Sequence, residues 1–349
     1  MFVERLAWAP APQRENHIYE LEVSGMRAMV IEAFGGPEVF SEQDIDRPEP
    51  GAKELLVRVV ASGTNPVEAK MRADGSARGV TLPAVLGADA SGVVEQTGPG
   101  CKDFSEGDEV YYTPEVASPH PGTYAEYHVV EEAIVAPKPD GLSHIEAAAV
   151  PLAGGTAWQI LIDRLHLVPA ETVLIHGGAG GVGSFAVQIA KAAGARVLAT
   201  ASAENQDLLK QLGADLAIDY RSSDPIEVAL DVTNGNGVDA VFDTVGGDTV
   251  ERSLRATRKF GRLGTILGPT GDLTALYQRN LTLHGVMMTR NRSQLVQLGE
   301  LIERGQLRPV IDQVLPLEQV RKAHARLDSG HGRGKIVLSV AEDIRRSPA

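Results

Sequence analysis

Val173-Leu174-Ile175-His176-Gly177-Gly178-Ala179-Gly180-Gly181-Val182-Gly183 is the stretch that decides the fold. Three apolar residues read as a buried strand, and the residues from Gly181 to Ala193 read as an apolar helix. Between them, Gly178 to Gly183 satisfies G-x-G-x-x-G, with glycine at the first, third and sixth places. Glycine lets the chain turn tightly and lets a pyrophosphate approach the backbone, while the helix start offers unpaired N–H groups and partial positive charge. Strand, turn and helix together point to dinucleotide binding, with Gly178, Ala179, Gly180, Gly181, Val182 and Gly183 as the cofactor-facing residues. The alternative is a plain strand-to-helix turn. An esterase reading of His176-Gly177-Gly178 fails because no G-x-S-x-G elbow occurs, and Gly334-Lys335 lacks the Ser or Thr of a phosphate loop.

Outward from this turn, strands are expected at Val173–His176, Arg196–Thr200, Leu216–Asp219 and Ala240–Asp243, with a helix at Gln206–Leu212. Strand-helix alternation predicts a doubly wound parallel sheet in an α/β domain spanning residues 149–289. On the amino-terminal side, short β-rich runs such as Glu54–Ala61 and Ala90–Gln96, separated by glycine and proline turns, predict a β-rich domain over 26–148. Past residue 290, a helix at Gln294–Glu303 and short β-like pieces ending in Lys335–Val340 are expected to return to that domain, completing it with 290–349. Residues 1–25, before the alternating run that opens at Met26, read as an appended arm.

The whole chain of 349 residues carries 46 acidic and 33 basic side chains, a formal charge of -13 that would repel a phosphate backbone. Nucleic acid is therefore not an expected partner. No apolar run is long enough to span a membrane, and the first 25 residues lack the apolar core of a secretory signal. The single cysteine, Cys101, excludes an intrachain disulfide and any multi-cysteine metal site, so a reducing, cytoplasmic setting is expected.

An acidic side chain at the end of the second strand would bind ribose hydroxyls and repel a 2′-phosphate. Here the chain runs Ala201-Ser202-Ala203 before Glu204, so Ser202 is the candidate phosphate donor and NADPH the expected cofactor, with NADH possible because Glu204 follows so closely. Ser202 also fits as a helix N-cap.

These residues resemble the zeta-crystallin and quinone oxidoreductase branch of the medium-chain dehydrogenase/reductase superfamily. The resemblance covers Met26 to Val340 and rests on the glycine turn with Gln188 and Lys191, and on Asn65-Pro66-Val67-Glu68, Leu86-Gly87-Ala88-Asp89, Glu106-Gly107-Asp108-Glu109-Val110, Gly155-Thr156-Ala157, Asp243-Thr244-Val245-Gly246-Gly247 and Gly334-Lys335-Ile336-Val337. It implies a GroES-like β-rich domain beside a Rossmann-type domain, and hydride transfer to a quinone or an enone-type double bond. Asn65 and Ala88 stand at the first two zinc-ligand positions of the superfamily's alcohol dehydrogenases, and the structural-zinc lobe is missing. The resemblance therefore implies no zinc.

By the same resemblance, Asn65 lies near the nicotinamide as a hydrogen-bond donor, and Lys70 is a candidate cation or proton donor. Thr156, Val245, Gly268 and Lys335 are carried over as cofactor contacts, and Tyr220 as a neighbour of the 2′-phosphate. Asn65 before Pro66 also fits a simple turn, and Lys70 a solvated surface lysine. Asn205 and Gln206 stand where relatives often carry a lysine, in a loop about one residue short. Tyr111, Tyr112, Tyr124 and Tyr127 fit either an aromatic acceptor pocket or half-buried strand packing. The family pattern further implies a homodimer through edge strands around Leu281 to Val286. A 2-enoyl thioester reductase and a non-enzymatic cofactor-binding protein of the zeta-crystallin kind are the alternatives.

Overall fold

The computed structural model describes residues 25–115 and 121–342. The expected arm over residues 1–25 lies outside the described residues apart from Gly25, which opens the strand Gly25–Ile31.

Among the described residues, six strands form a wholly parallel sheet in the order Leu216–Asp219, Arg196–Ala201, Thr172–His176, Val238–Asp243, Thr257–Thr265, Thr282–Gly285. Val173, Leu174 and Ile175 are fully buried, because helices cover both faces of such a sheet. The strand order reverses at Thr172–His176, where the chain builds out to one side and then the other. The carboxyl end of that strand is the crevice in which doubly wound sheets bind ligands. The glycine turn sits at this place and leads into the helix Gly181–Ala192, whose Phe185, Ala186, Val187 and Ile189 join the core.

The β-rich lobe contains, again among the described residues, a seven-stranded sheet and a three-stranded one. Its central strand Glu54–Gly63 pairs with Asp89–Thr97, with Tyr127–Glu131 and with Lys335–Ser339. The tail thus returns to the first lobe, with Val337 opposite Gly63.

Two helices interrupt regions where the sequence predicts β structure or loops. Pro66–Asp74 is an α-helix, started by Asn65 in a capping box with Glu68 and by Pro66 in the first turn. Val320–Asp328 is another, buried through Val320, Ala323 and His324. Both are nine residues long, and their inner faces mix Met71 and Val320 with the polar Glu68, Arg72 and His324, so neither reads as a continuous apolar stripe. The hydrophobic core also does not divide at residue 290. Leu295, Leu298 and Ile302 of the helix Arg292–Glu303 pack in the same cluster as Ile160, Val173 and Phe185 of the parallel-sheet lobe.

Candidate active site

The glycine turn is fixed by its own crowding. Gly177 has φ +71°, a left-handed conformation that glycine adopts without strain. Its N–H donates to Thr200 Oγ1 at 3.0 Å, and that of Gly178 to the Thr200 carbonyl at 2.8 Å. A Cβ on Gly183 would lie 2.1 Å from the Gly177 carbonyl oxygen, so the helix can approach the turn only without a side chain there. Gly180 is different: a Cβ would meet only that same oxygen, at 3.3 Å, with the rest of its surroundings open. This bare backbone before the helix start is a cradle that fits a dinucleotide pyrophosphate.

A cleft of about 780 Å³ opens on this turn. One wall is His176, Gly177, Ala179 and Gly180 with Thr200, Ser202, Glu204, Tyr220 and Arg221. Thr244 and Val245 form its floor, and Asp312, Arg326 and Gly330 to Arg333 of the returning segment close the far side. The floor is held from below. The buried Asp243 carboxylate accepts from the Val245 N–H at 3.0 Å, the Gly246 N–H at 3.1 Å and the Thr265 hydroxyl at 2.9 Å. Thr244 Oγ1 donates to the His176 carbonyl at 2.7 Å. His176 shares a 2.9 Å hydrogen bond with Ser253, and burial pulls its pKa down to about 4, which leaves the ring neutral near pH 7.

Beside the turn lies a sealed polar cluster. Gly334 forms a parallel bridge with Gly180 and donates to the Ala179 carbonyl at 2.8 Å, which registers the closing segment against the glycine turn. The next residue, Lys335, sends its ammonium inward to Asp89 Oδ2 at 3.0 Å, to the Thr64 carbonyl at 2.9 Å and to Asn65 Oδ1. Asn65 Nδ2 donates to Asp89 Oδ2 at 2.9 Å and to Glu68 Oε1 at 3.1 Å. Asp89 Oδ1 accepts from the Leu152 N–H at 2.8 Å. All four side chains are buried, and two carboxylates face one ammonium. Burial, only partly offset by Lys335 and Asn65, pushes Glu68 up to about 7.

This cluster changes the expectation for two residues. Both amide hydrogens of Asn65 are spent on carboxylates, so the free donor expected for an acceptor oxygen is engaged. Lys335, carried over as a cofactor contact, directs its ammonium into the cluster, and only its stem lies against Gly181. Ala179, Gly180, Ser202, Tyr220 and Val245 line the cleft, with Tyr220 and Val245 about half exposed. Gly178, Val182, Thr156 and Gly268 do not line it, and Thr156 spends its hydroxyl on the Leu152 carbonyl at 2.6 Å. Lys70 is exposed on the Pro66–Asp74 helix, away from the cleft lining.

The aromatic pocket is overturned. Tyr111, Tyr112 and Tyr124 are fully buried, their hydroxyls bonded to the Leu295 carbonyl, His128 and His324, and Tyr127 lies under Arg47. Arg221, Arg326 and Arg333, by contrast, line the cleft without having been singled out in the sequence. Their spacing carries no motif, because they converge from separate elements.

The descriptions of two protein families match the chain: an alcohol dehydrogenase GroES-like domain over residues 51–140 and a zinc-binding dehydrogenase over 212–338. An NADPH-dependent alkenal/one oxidoreductase of Arabidopsis thaliana chloroplasts is 36% identical over 90% of this chain and 79% of its own length. A quinone oxidoreductase of Pseudomonas aeruginosa is 36% identical over 88% of this chain and 97% of its own. Among solved structures, one described as an NAD-dependent alcohol dehydrogenase superposes with a TM-score of 0.85 at 37% identity, covering 90% of this chain and all of the other.

Proposed function

Because the chain belongs to the quinone oxidoreductase branch of the medium-chain dehydrogenase/reductase superfamily, we propose that it is an NADPH-dependent reductase of quinones or enone-type double bonds that works without zinc. The observation that carries the reading is the cleft at the strand-order reversal, opening on the bare Gly177–Gly180 backbone and a helix amino terminus. When bound, NADPH supplies the hydride at nicotinamide C4. The chain's own part is to hold the pyrophosphate on the helix start, to border the cofactor with Val245, which lines the cleft, and to exclude water from the reacting atoms. The enone side is favoured by the names of two relatives, the alkenal/one oxidoreductase and a 2-methylene-furan-3-one reductase of Solanum lycopersicum.

The zinc-free part rests on donor chemistry. The carboxylates of the buried cluster already have a cation, the Lys335 ammonium, which binds Asp89 and Asn65. Stoichiometric zinc in the purified protein would overturn this. Asn65 then acts by holding the cluster. Lys70, carried over as a proton donor, stands exposed and away from the cleft lining, so Lys70→Met is expected to leave kcat within about twofold of wild type, and a loss of about 100-fold would return the role to it. An unchanged kcat assigns the proton to solvent. The direct test of the whole reading is to follow NADPH absorbance with panels of quinones, enones and 2-enoyl thioesters. Oxidation with enones or quinones is expected, and no oxidation above background with any acceptor would refute it. We further propose a homodimer through the strand Thr282–Gly285, which ends the parallel sheet and is followed by the exposed Met287.

A further inference from the structure

Met288, Thr289 and Arg290 leave the strand Thr282–Gly285 at the carboxyl ends of the parallel sheet, the side on which the cleft opens. Gln159 grips the backbone of this loop at Thr289. Its Nε2 donates to the Thr289 carbonyl at 2.7 Å, and its Oε1 accepts from the Thr289 N–H at 3.1 Å. The same Nε2 donates to Gln294 Oε1 at 3.0 Å, and Gln294 Nε2 donates on to Asp163 Oδ2 at 3.0 Å. Both glutamines are buried. Gln159 also opens a π-helical turn, Gln159–Arg164, in which the Leu165 N–H donates to the Ile160 carbonyl at 2.8 Å. Such turns are rare and recur at functional sites. This one continues the helix Pro151–Trp158, and a Cβ on Gly155 of that helix would lie 2.7 Å from Met288 Cε, so Met288 packs directly on the helix there.

Arg290 carries the loop across to the β-rich lobe. Its Nε and Nη2 both donate to the Pro114 carbonyl, at 3.1 and 3.0 Å, and its Nη1 donates to the Met288 carbonyl at 3.2 Å. The carboxylate beside it, Glu115 at 3.0 Å, is 67% exposed, whereas the Arg290 side chain is only 11% exposed. A solvated carboxylate contributes little binding energy, so the guanidinium serves here mainly as a rigid fork that fixes the angle of one carbonyl. Pro114 follows the strand Glu109–Tyr112, and Tyr111 of that strand reaches the Leu295 carbonyl beside Gln294. Thr113 in turn donates to the carbonyl of Ala88, the neighbour of Asp89 in the sealed cluster.

A dinucleotide with its pyrophosphate on the glycine turn and its adenosine half beside Ser202 and Tyr220 has its nicotinamide half toward the other half of the sheet, which ends in Thr282–Gly285. We propose that Gln159 and Arg290 are positioning residues for hydride transfer. Gln159 locks the Met288–Arg290 loop to the parallel-sheet lobe, and Arg290 holds the β-rich lobe against that loop. Together they set the separation of the lobes at the reacting end of the cleft. The inference rests on the reductase reading and adds what fixes the distance between hydride donor and acceptor. A misplacement of about 1 Å caused from outside the reacting centre can cost on the order of 100-fold in rate.

Hydrogen exchange and single-turnover kinetics on the full chain test this. In the cofactor-free protein, Gln159→Met is expected to speed amide exchange across residues 286–291 roughly tenfold, and Arg290→Met to do so across both that loop and residues 109–114. With NADPH and either 3-buten-2-one or 1,4-benzoquinone, each variant should slow hydride transfer by about tenfold or more while NADPH affinity stays within about twofold. The double variant should be about as slow as the worse single variant, because the two residues act in series. Arg290→Lys keeps a donor without the fork, should regain part of the rate, and replaces Arg290→Met if that variant does not fold. Wild-type hydride-transfer rates in the variants, or a loss matched by an equal loss of NADPH affinity, would overturn the proposal. An inactive wild type would refute the reductase reading and the positioning role with it, whereas an active wild type with unaffected variants removes the positioning role alone.

Discussion

Lys335 joins the two halves of the site: its backbone follows the Gly334–Gly180 bridge, and its ammonium neutralises a pocket holding Asp89 and Glu68. Removing one partner of a buried ion pair leaves the other charge without solvent or counterion. Lys335→Met is therefore expected to lower unfolding stability by about 3–5 kcal/mol in urea denaturation, far more than loss of a surface lysine. Glu68 gives a prediction with a defined sign. Burial raises its folded pKa from 4.5 to about 7, so its contribution to stability is fully present below the unfolded value and is lost as pH rises through about 7. Between pH 5 and 8 the wild type should lose on the order of 2 kcal/mol relative to Glu68→Gln. Parallel stability–pH curves for the two proteins would exclude the shift. Asn65, Glu68, Asp89 and Lys335 all fall in segments the sequence singles out, yet their mutual contact was not legible there. Glu68 lies three residues from Asn65, whereas Lys335 reaches them from the far end of the chain.

At the scale of an element, the glycine turn and its helix separate folding from binding. Gly183→Ala would push a methyl group against the Gly177 carbonyl oxygen, at 2.1 Å before relaxation, so turn and helix must part. It should cost about 1–3 kcal/mol of stability and weaken dinucleotide binding together. Gly180→Ala meets only a 3.3 Å contact inside the protein and projects into the cradle. Its melting temperature is expected to stay within a few degrees of wild type, while NADPH affinity falls roughly tenfold or more. Equal effects of the two substitutions on melting would contradict this division of roles. The turn was legible because buried strand, glycine spacing and apolar helix agree over a single short window. The helices Pro66–Asp74 and Val320–Asp328 were not, because buried Glu68 and His324 occupy inner positions that read as polar in a sequence.

For the whole molecule, the strand Thr282–Gly285 has, among the described residues, an unpaired edge on the parallel sheet, and sedimentation is expected to give a dimer. A single monomeric species at micromolar concentration would remove that proposal. The lobes also share more than a cleft: Tyr111 of the β-rich lobe bonds to the Leu295 carbonyl at 2.5 Å, and Leu295 packs in the core of the parallel-sheet lobe. What the sequence by itself determined is the parallel doubly wound sheet, the position of its dinucleotide turn and the return of the tail to the β-rich lobe. Each is written in local periodicity, in backbone freedom at glycine or in an ordered set of short segments. Only the tertiary structure decided that Asn65 spends its donors inside a buried cluster, that Tyr111, Tyr112 and Tyr124 are buried packing, and that arginines from the returning segment line the same cleft as Glu204. Those outcomes depend on which groups meet across hundreds of residues and how far they are removed from water, and both are set by packing between lobes.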